Sequence, residues 1–353
     1  MGVSSRELHR TDDSSRLTLI DTAQGFFRGK VLCAAVRLGI VEALADGAMT
    51  VDELAAKTAT NPRALVRLLR ALESIGVIAE TLPARFALTP FGDPLRRDAP
   101  DSVWASMVFW ADLLADAWTY LPDCVRAGDR AGAEVARRRE GVTSRWSRVP
   151  DANAIFHAVF AESRADDFAS LVAAWDFSHC QLIADLGGGG GGLLAAVLAA
   201  QPGARGLLVE RKDAINGASK RFEALGLSAR CEFIVGDLLQ SVPTGADVYL
   251  MRCVLHGYDD ESALSILRNV RHVMHPSCRL LLIEVVLPDA IGKPDPNIER
   301  LMMSDLNMLV VTGGQERSQN EWSTLLVSAG LQLQRVLSVA GQTACMIEAV
   351  CGD

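Results

Sequence analysis

The chain lacks any long hydrophobic run. Its longest candidate, Leu193–Ala200, falls far short of the ~18–20 apolar residues that cross a bilayer. The first thirty residues are interrupted by Arg, Glu, His and Asp and lack the apolar stretch of a secretory signal, so a cytoplasmic protein is expected. Paired cysteines are missing too. None of the eight stands two to four residues from another, which excludes the spacing of a zinc finger. Basic charge is short: 35 Lys and Arg face 43 Asp and Glu, a net charge of −8, so neither nucleic acid nor a membrane is an expected partner. What is present is ordinary globular composition, 49% hydrophobic and 22% charged, which excludes disordered and collagen-like classes. At ~150 residues per domain, 353 residues suggest two.

Residues 1–16 are polar and read as a disordered tail. From Leu17 to Leu44 apolar residues recur at helical spacing, a surface that packs on its own domain or against a second copy. Thr50 and Glu53 have capping-box spacing for a helix Val51–Lys57. Pro62 opens a second helix, Pro62–Ser74, with Leu65, Leu68, Leu69 and Leu72 on one stripe. Val77–Ile78 and Phe86–Leu88 then pair as a hairpin, completing a winged helix over 17–100. Arg63, Arg67 and Arg70 on its second helix are either a DNA-reading face or a solvated one. Aromatic residues are sparse at 6%, yet Trp104, Phe109, Trp110, Trp118, Phe156, Phe160 and Trp175 gather in a helical connector, 101–180.

Over 181–353 strands and helices alternate. Leu182–Leu186, Gly206–Glu210, Glu232–Val235, Val248–Met251 and Leu280–Val286 predict a doubly wound, Rossmann-like α/β sheet. Leu331–Ser338 and Ala344–Val350 predict a terminal antiparallel hairpin. The first strand runs into Asp185-Leu-Gly-Gly-Gly-Gly-Gly-Gly192 and then a helix. Glycine there permits a tight turn and close approach of a ligand, with Gly187 and Gly189 as candidate contacts. No Lys-Ser/Thr follows, which excludes a Walker A loop. Glu210, at the end of the second strand, suits two ribose hydroxyls. Asp237 suits an adenine amine, or merely caps residues 238–241, and Leu238 suits the ring face. Nicotinamide dinucleotide and S-adenosylmethionine both fit such a turn. Asp185 ahead of the first glycine, the terminal hairpin and the late position of the module favour S-adenosylmethionine.

Three motifs carry a family resemblance: the Asp185 glycine run, Arg252-Cys-Val-Leu-His256-Gly-Tyr-Asp-Asp, and Gly313-Gly-Gln-Glu316-Arg-Ser. With them the chain resembles, over roughly residues 17–350, the class I S-adenosylmethionine-dependent small-molecule O-methyltransferases. Within these it looks like the plant caffeic-acid and chalcone type and bacterial relatives that act on polyketides and phenazines. The resemblance implies that the winged helix serves homodimerisation. It further implies an aromatic hydroxyl acceptor from secondary metabolism, S-adenosylmethionine as cofactor and no metal. His256 matches the catalytic base, and Glu284 and Glu316 match the acids that orient it. Arg252 stands near the cofactor where the family often has Lys. Gly257 and Tyr258 replace the usual Asp and Trp.

The acceptor pocket is expected between the domains, with Phe156, His157, Phe160, Met302, Met303 and Met308 as candidate walls. Two other readings stand beside this one: a hydroxylase or decarboxylase of the same fold that binds S-adenosylmethionine, and a winged-helix transcription regulator.

Overall fold

The computed structural model describes residues 13–140, 144–149, 151–161 and 165–352. The chain forms two units, Met1–Asp116 with Arg145–Glu162, and Ala117–Ser144 with Ser163–Asp353. The connector 101–180 is thus divided between them. The tail over 1–12 lies outside the described residues.

In the first unit the expected single helix is broken. Gly39, at φ +69°, separates α1 (Asp13–Arg37) from α2 (Ile40–Leu44). The apolar spacing continues across the break, but a left-handed residue cannot sit inside an α-helix. Leu17, Leu19, Phe26 and Phe27 on α1 are exposed. A strand β1 (Met49–Thr50) precedes α3 (Val51–Thr58), where the capping box forms: Glu53 N–H donates to Thr50 Oγ1 at 3.2 Å and Thr50 N–H to Glu53 Oε2 at 2.8 Å. Helix α4 (Pro62–Ser74) buries Leu65, Leu69 and Leu72, and leaves Arg63, Arg67 and Arg70 exposed on its other face. β2 (Ile78–Leu82) and β3 (Arg85–Leu88) make the wing. The short β1 adds a third strand to it, in the order β1-β3-β2.

The second unit is built on a seven-stranded sheet. Its strands are β4 (Leu182–Leu186), β5 (Arg205–Glu210), β6 (Cys231–Val235), β7 (Val248–Arg252), β8 (Arg279–Glu284), β11 (Leu331–Ser338) and β12 (Cys345–Cys351), in the order β11-β12-β8-β7-β4-β5-β6. The five central strands are parallel, and the terminal hairpin joins β8 antiparallel. Strands such as Leu280-Leu-Leu-Ile283 are fully apolar because helices cover both faces of the sheet.

The strand expected over Leu280–Val286 ends earlier, at Glu284. Val286–Leu287 leaves the sheet as β9 and pairs in parallel with β10 (Arg317–Ser318), Arg317 opposite Val286. This departure brings the segment preceding Arg317 beside the end of β8. Order reverses between β4 and β7, where the chain leaves one side of β4 and returns on the other. Ligands of open α/β sheets sit at the carboxyl ends of strands at such a point. No helix among the described residues is long and apolar enough to cross a membrane.

Candidate active site

The glycine-rich turn leaves β4 at Leu186. Gly187, Gly189 and Gly191 take φ of +72°, +55° and +70°, a run of left-handed turns that only glycine adopts without strain. At Gly188 a β-carbon would collide with the Asp185 carboxylate, so the turn passes over that acid with no side chain between. Asp185 is 1% exposed, and neither carboxylate oxygen has a hydrogen-bond partner. Burial, and then the charge of Glu210, push its pKa up to about 7, while Arg252 pulls the other way. An ionisable group buried without partners is costly unless a counter-charge meets it.

Glu210 ends β5 beside the turn. Its Oε2 accepts from Gly189 N–H at 3.1 Å and its Oε1 from Arg211 N–H at 2.7 Å. No helix forms over 238–241; Asp237 closes a turn there, its Oδ1 accepting from Leu239 N–H at 3.0 Å and its Oδ2 from Gln240 Nε2 at 3.2 Å. Leu238 is packed in the core beneath the turn. Arg252 ends β7 with its guanidinium 5.3 Å from the Phe168 ring. These residues gather at the carboxyl ends of β4, β5, β6 and β7. A bare backbone cradle with an unpartnered buried acid fits a cationic, nucleoside-bearing cofactor such as S-adenosylmethionine.

The base candidate follows directly on β7. Cys253 takes φ +54°, rare outside glycine, and this kink turns the chain into the 3₁₀ turn Leu255–Gly257 that carries His256. Glu284, last in β8 and completely buried, braces the turn from the neighbouring strand. Its Oε1 accepts from Val254 N–H at 2.9 Å and Leu255 N–H at 2.8 Å, and its Oε2 lies 3.6 Å from His256 Nδ1. The closer partner of Nδ1 is Glu316 Oε1, at 3.2 Å. Glu316 is only 3% exposed and is itself held, Ser304 Oγ donating to Oε1 at 2.7 Å and its own N–H donating to Asp305 Oδ1 at 2.9 Å. Burial opposes a charged imidazole, but Glu284 and Glu316 outweigh it, and the His256 pKa rises above its ordinary value.

Arg317 completes the frame. Buried at 1% exposure, it pairs with Asp260 at 2.8 Å and donates to the carbonyls of Leu255 at 3.2 Å and Tyr258 at 3.1 Å. Gly314 lies so close to the same turn that a β-carbon would strike the His256 carbonyl, which explains the Gly-Gly of the third motif.

Ser304, Asp305 and Arg317 did not emerge from the sequence as site residues. The spacing of Ser304 and Asp305 to Glu316 marks them in hindsight only through the fold. A close grouping of a thiol, an imidazole and a carboxylate was also not visible in the sequence. One ligand atom each of Cys253, His256 and Glu284 lie within 4.8 Å of one another. Cysteine spacing could not find it, because the ligands come from adjacent strands and only one is cysteine.

The expected acceptor walls belong to both units. Met302, Met303 and Met308 belong to the helix Pro296–Val311. Met308 lies one turn beyond Ser304 on the same face, whereas Met302 and Met303, at about 100° per residue, both point well away from it, and Met303 is 44% exposed. Phe156 packs in an aromatic cluster of the first unit, 5.9 Å from Phe109 and 5.8 Å from Trp146. His157 and Phe160 share its helix, Ala152–Ala161, and their side chains lie outside the described residues.

Comparison with known proteins places this geometry. Residues 118–332 match the model of the O-methyltransferase domain, and residues 20–97 that of the O-methyltransferase dimerisation domain. The chain is 35% identical over 325 residues to a phenazine O-methyltransferase of Lysobacter antibioticus, covering 91% of this chain and 92% of that one. It is 34% identical over 314 residues to an 8-amino-8-demethylriboflavin N,N-dimethyltransferase of Streptomyces davaonensis, covering 86% of each. Among solved structures, it resembles an O-methyltransferase from neocarzinostatin biosynthesis in complex with S-adenosylmethionine and 2-hydroxy-5-methyl naphthoic acid. That likeness has a TM-score of 0.77 at 28% identity and covers 92% of this chain and 96% of that one. The chain therefore belongs to the O-methyltransferase family and is an S-adenosylmethionine-dependent methyltransferase of secondary metabolism.

Proposed function

We propose that the protein methylates a hydroxyl group of an aromatic small molecule, with His256 as general base. The pairing of His256 Nδ1 with Glu316 Oε1 at 3.2 Å carries this reading. A proton held on Nδ1 leaves the Nε2 lone pair free to accept another, the tautomer a buried acid imposes on a base histidine. S-adenosylmethionine, when bound, supplies an electrophilic methyl group and leaves as S-adenosylhomocysteine. His256 Nε2 takes the hydroxyl proton as the acceptor oxygen becomes nucleophilic. The resulting imidazolium faces the carboxylates of Glu316 and Glu284, which stabilise its charge.

For the cofactor we assign Asp185 to the cationic end and Gly187 and Gly189 to close backbone approach. Glu210 takes the ribose hydroxyls, Asp237 and Leu238 the adenine, and Arg252 the rim. Met308, on the Ser304 face, is the residue of the second unit assigned to the acceptor. The dimerisation-domain match and the exposed Leu17, Leu19, Phe26 and Phe27 of α1 support a homodimer.

An amine acceptor is the second reading, favoured by the N,N-dimethyltransferase relative. A neutral aromatic amine already carries the lone pair that attacks, whereas a phenol must first lose a proton. A histidine flanked by two buried acids therefore fits the hydroxyl better. Labelled methyl transfer to matched phenols and anilines tests this directly. Turnover of phenols is expected; turnover restricted to anilines, or to neither class in a wide panel, would overturn the O-acceptor reading.

A further inference from the structure

The base pocket carries more negative and soft ligand atoms than proton transfer uses. Glu284 Oε2 and Glu316 Oε2 are buried without a hydrogen-bond partner. The buried guanidinium nearby, that of Arg317, is spent on Asp260 and on the carbonyls of Leu255, Gln315 and Tyr258. The Cys253 thiol adds a third donor type, within 4.8 Å of the Glu284 and His256 ligand atoms. Of the three, only Glu284 is completely buried; the His256 side chain keeps 16% of its surface exposed.

We propose that Cys253, His256 and Glu284 form an inhibitory site for a thiophilic divalent cation, with zinc as the best fit. Sulfur, imidazole and carboxylate are the ligands zinc takes, and three protein ligands with an open fourth position are common for it. Metal–ligand bonds of about 2.0–2.3 Å require ligand atoms roughly 3.5 Å apart. Side-chain rotations that close the cluster by about an ångström reach that geometry. As the metal–sulfur bond forms, the thiol proton leaves to the buffer. Glu284 and the thiolate neutralise the two charges of the ion, and Glu316 remains beside them. The hard, water-retaining Mg²⁺ is a poor match for a thiol.

Occupancy abolishes the base whichever imidazole nitrogen binds. Metal on Nε2 removes the accepting lone pair. Metal on Nδ1 displaces that proton, so the proton of the neutral ring moves to Nε2. This consequence rests on the proposed role of His256; the binding itself does not.

The test uses the whole chain, freed of metal with EDTA. Calorimetric titration with zinc sulfate should show one ion per chain, and Co²⁺ should give a sulfur-to-cobalt charge-transfer band. Cys253→Ser should remove the band and weaken zinc at least about tenfold, in line with the 10- to 100-fold costs of disturbing metal sites. With an accepted phenol, zinc should stop methyl transfer in the wild type, EDTA should restore it, and Cys253→Ser should turn over in the presence of zinc. Absence of the cobalt band in the wild type, or zinc affinity unchanged in both Cys253→Ser and Cys253→Ala, would overturn the site. Should neither variant fold, zinc affinity and cobalt band both unchanged in His256→Ala would overturn the site instead. Calorimetry and the band need no acceptor, so a failure to methylate phenols would sink the functional reading and leave this one standing.

Discussion

Two buried acids at the ends of parallel strands, Asp185 and Glu284, have opposite surroundings. Asp185, next to last in β4, has both oxygens unpartnered beneath a turn stripped of side chains. Glu284 ends β8 with two backbone N–H groups on one oxygen and an imidazole facing the other. The pKa of each is raised, and burial is the leading cause for both. The difference lies in what the native chain provides. Glu284 braces the His256 turn through one of its oxygens, whereas neither oxygen of Asp185 holds any part of the chain. The bracing acid holds the turn in place, and the orphaned one weakens the folded state in favour of a ligand.

The largest expected effect falls on the network side. His256→Ala should lower kcat by about 10²- to 10⁴-fold, the usual worth of a positioned general base. Binding of S-adenosylhomocysteine, measured by calorimetry, should stay within a few-fold, because the imidazole is paired with Glu316 and Glu284 and with none of the residues assigned to the cofactor. Activity that survives within a factor of a few would remove His256 as base. Next comes Glu284→Ala. It strands the N–H groups of Val254 and Leu255, each at about 1–3 kcal/mol, so urea unfolding should show a loss of about 2–6 kcal/mol. Unchanged stability would mean that Glu284 does not hold the turn.

How much of this contrast is legible in the sequence depends on the range of the interactions. The Asp185 side is local. Strand, acid, glycine run and helix lie consecutively, so the cradle and its acid are read from one segment. Glu210 and Asp237 follow because strand ends in a parallel sheet converge. The His256 side is assembled from four separated segments, at 253–258, 284, 304–305 and 314–317. Their meeting depends on β9 leaving the sheet at Val285 to pair with β10, a two-residue ladder too short to have a pattern of its own. Family resemblance therefore singled out His256, Glu284 and Glu316, but nothing in the spacing singled out Ser304, Arg317 or Cys253. The break at Gly39 was hidden for a related reason: helical periodicity on both sides masks a single left-handed residue.

Asp185→Asn should act on stability in the opposite direction from Glu284→Ala. With a folded pKa of about 7 against an ordinary 3.8, the native state keeps a proton that the unfolded chain has lost. Stability of the wild type must therefore fall as pH rises between those two values, by up to about 1.4 kcal/mol per pH unit. The variant lacks that slope. Its ligand-free Tm should match the wild type near pH 4 and exceed it by several degrees near pH 8, at about 2–4 °C per kcal/mol. Cofactor affinity should change the other way, with S-adenosylhomocysteine binding weakened. A Tm difference independent of pH would show that Asp185 is not the orphan its surroundings imply.

The smallest effect sharpens the network side. Ser304 Oγ donates to the same Glu316 oxygen that faces His256 Nδ1. Ser304→Ala removes one neutral donor of about 0.5–1.5 kcal/mol and leaves the acid its imidazole partner. The carboxylate then turns more freely, and the imidazole it orients loses alignment while the base itself remains. The expected result is a fall in kcat of a few-fold up to about tenfold, with KM for S-adenosylmethionine unchanged. Ser304→Thr, which restores the hydroxyl, should recover most of it. If Ala and Thr variants are equally impaired, the loss comes from packing on the helix and not from the hydroxyl, and Ser304 has no part in setting the base.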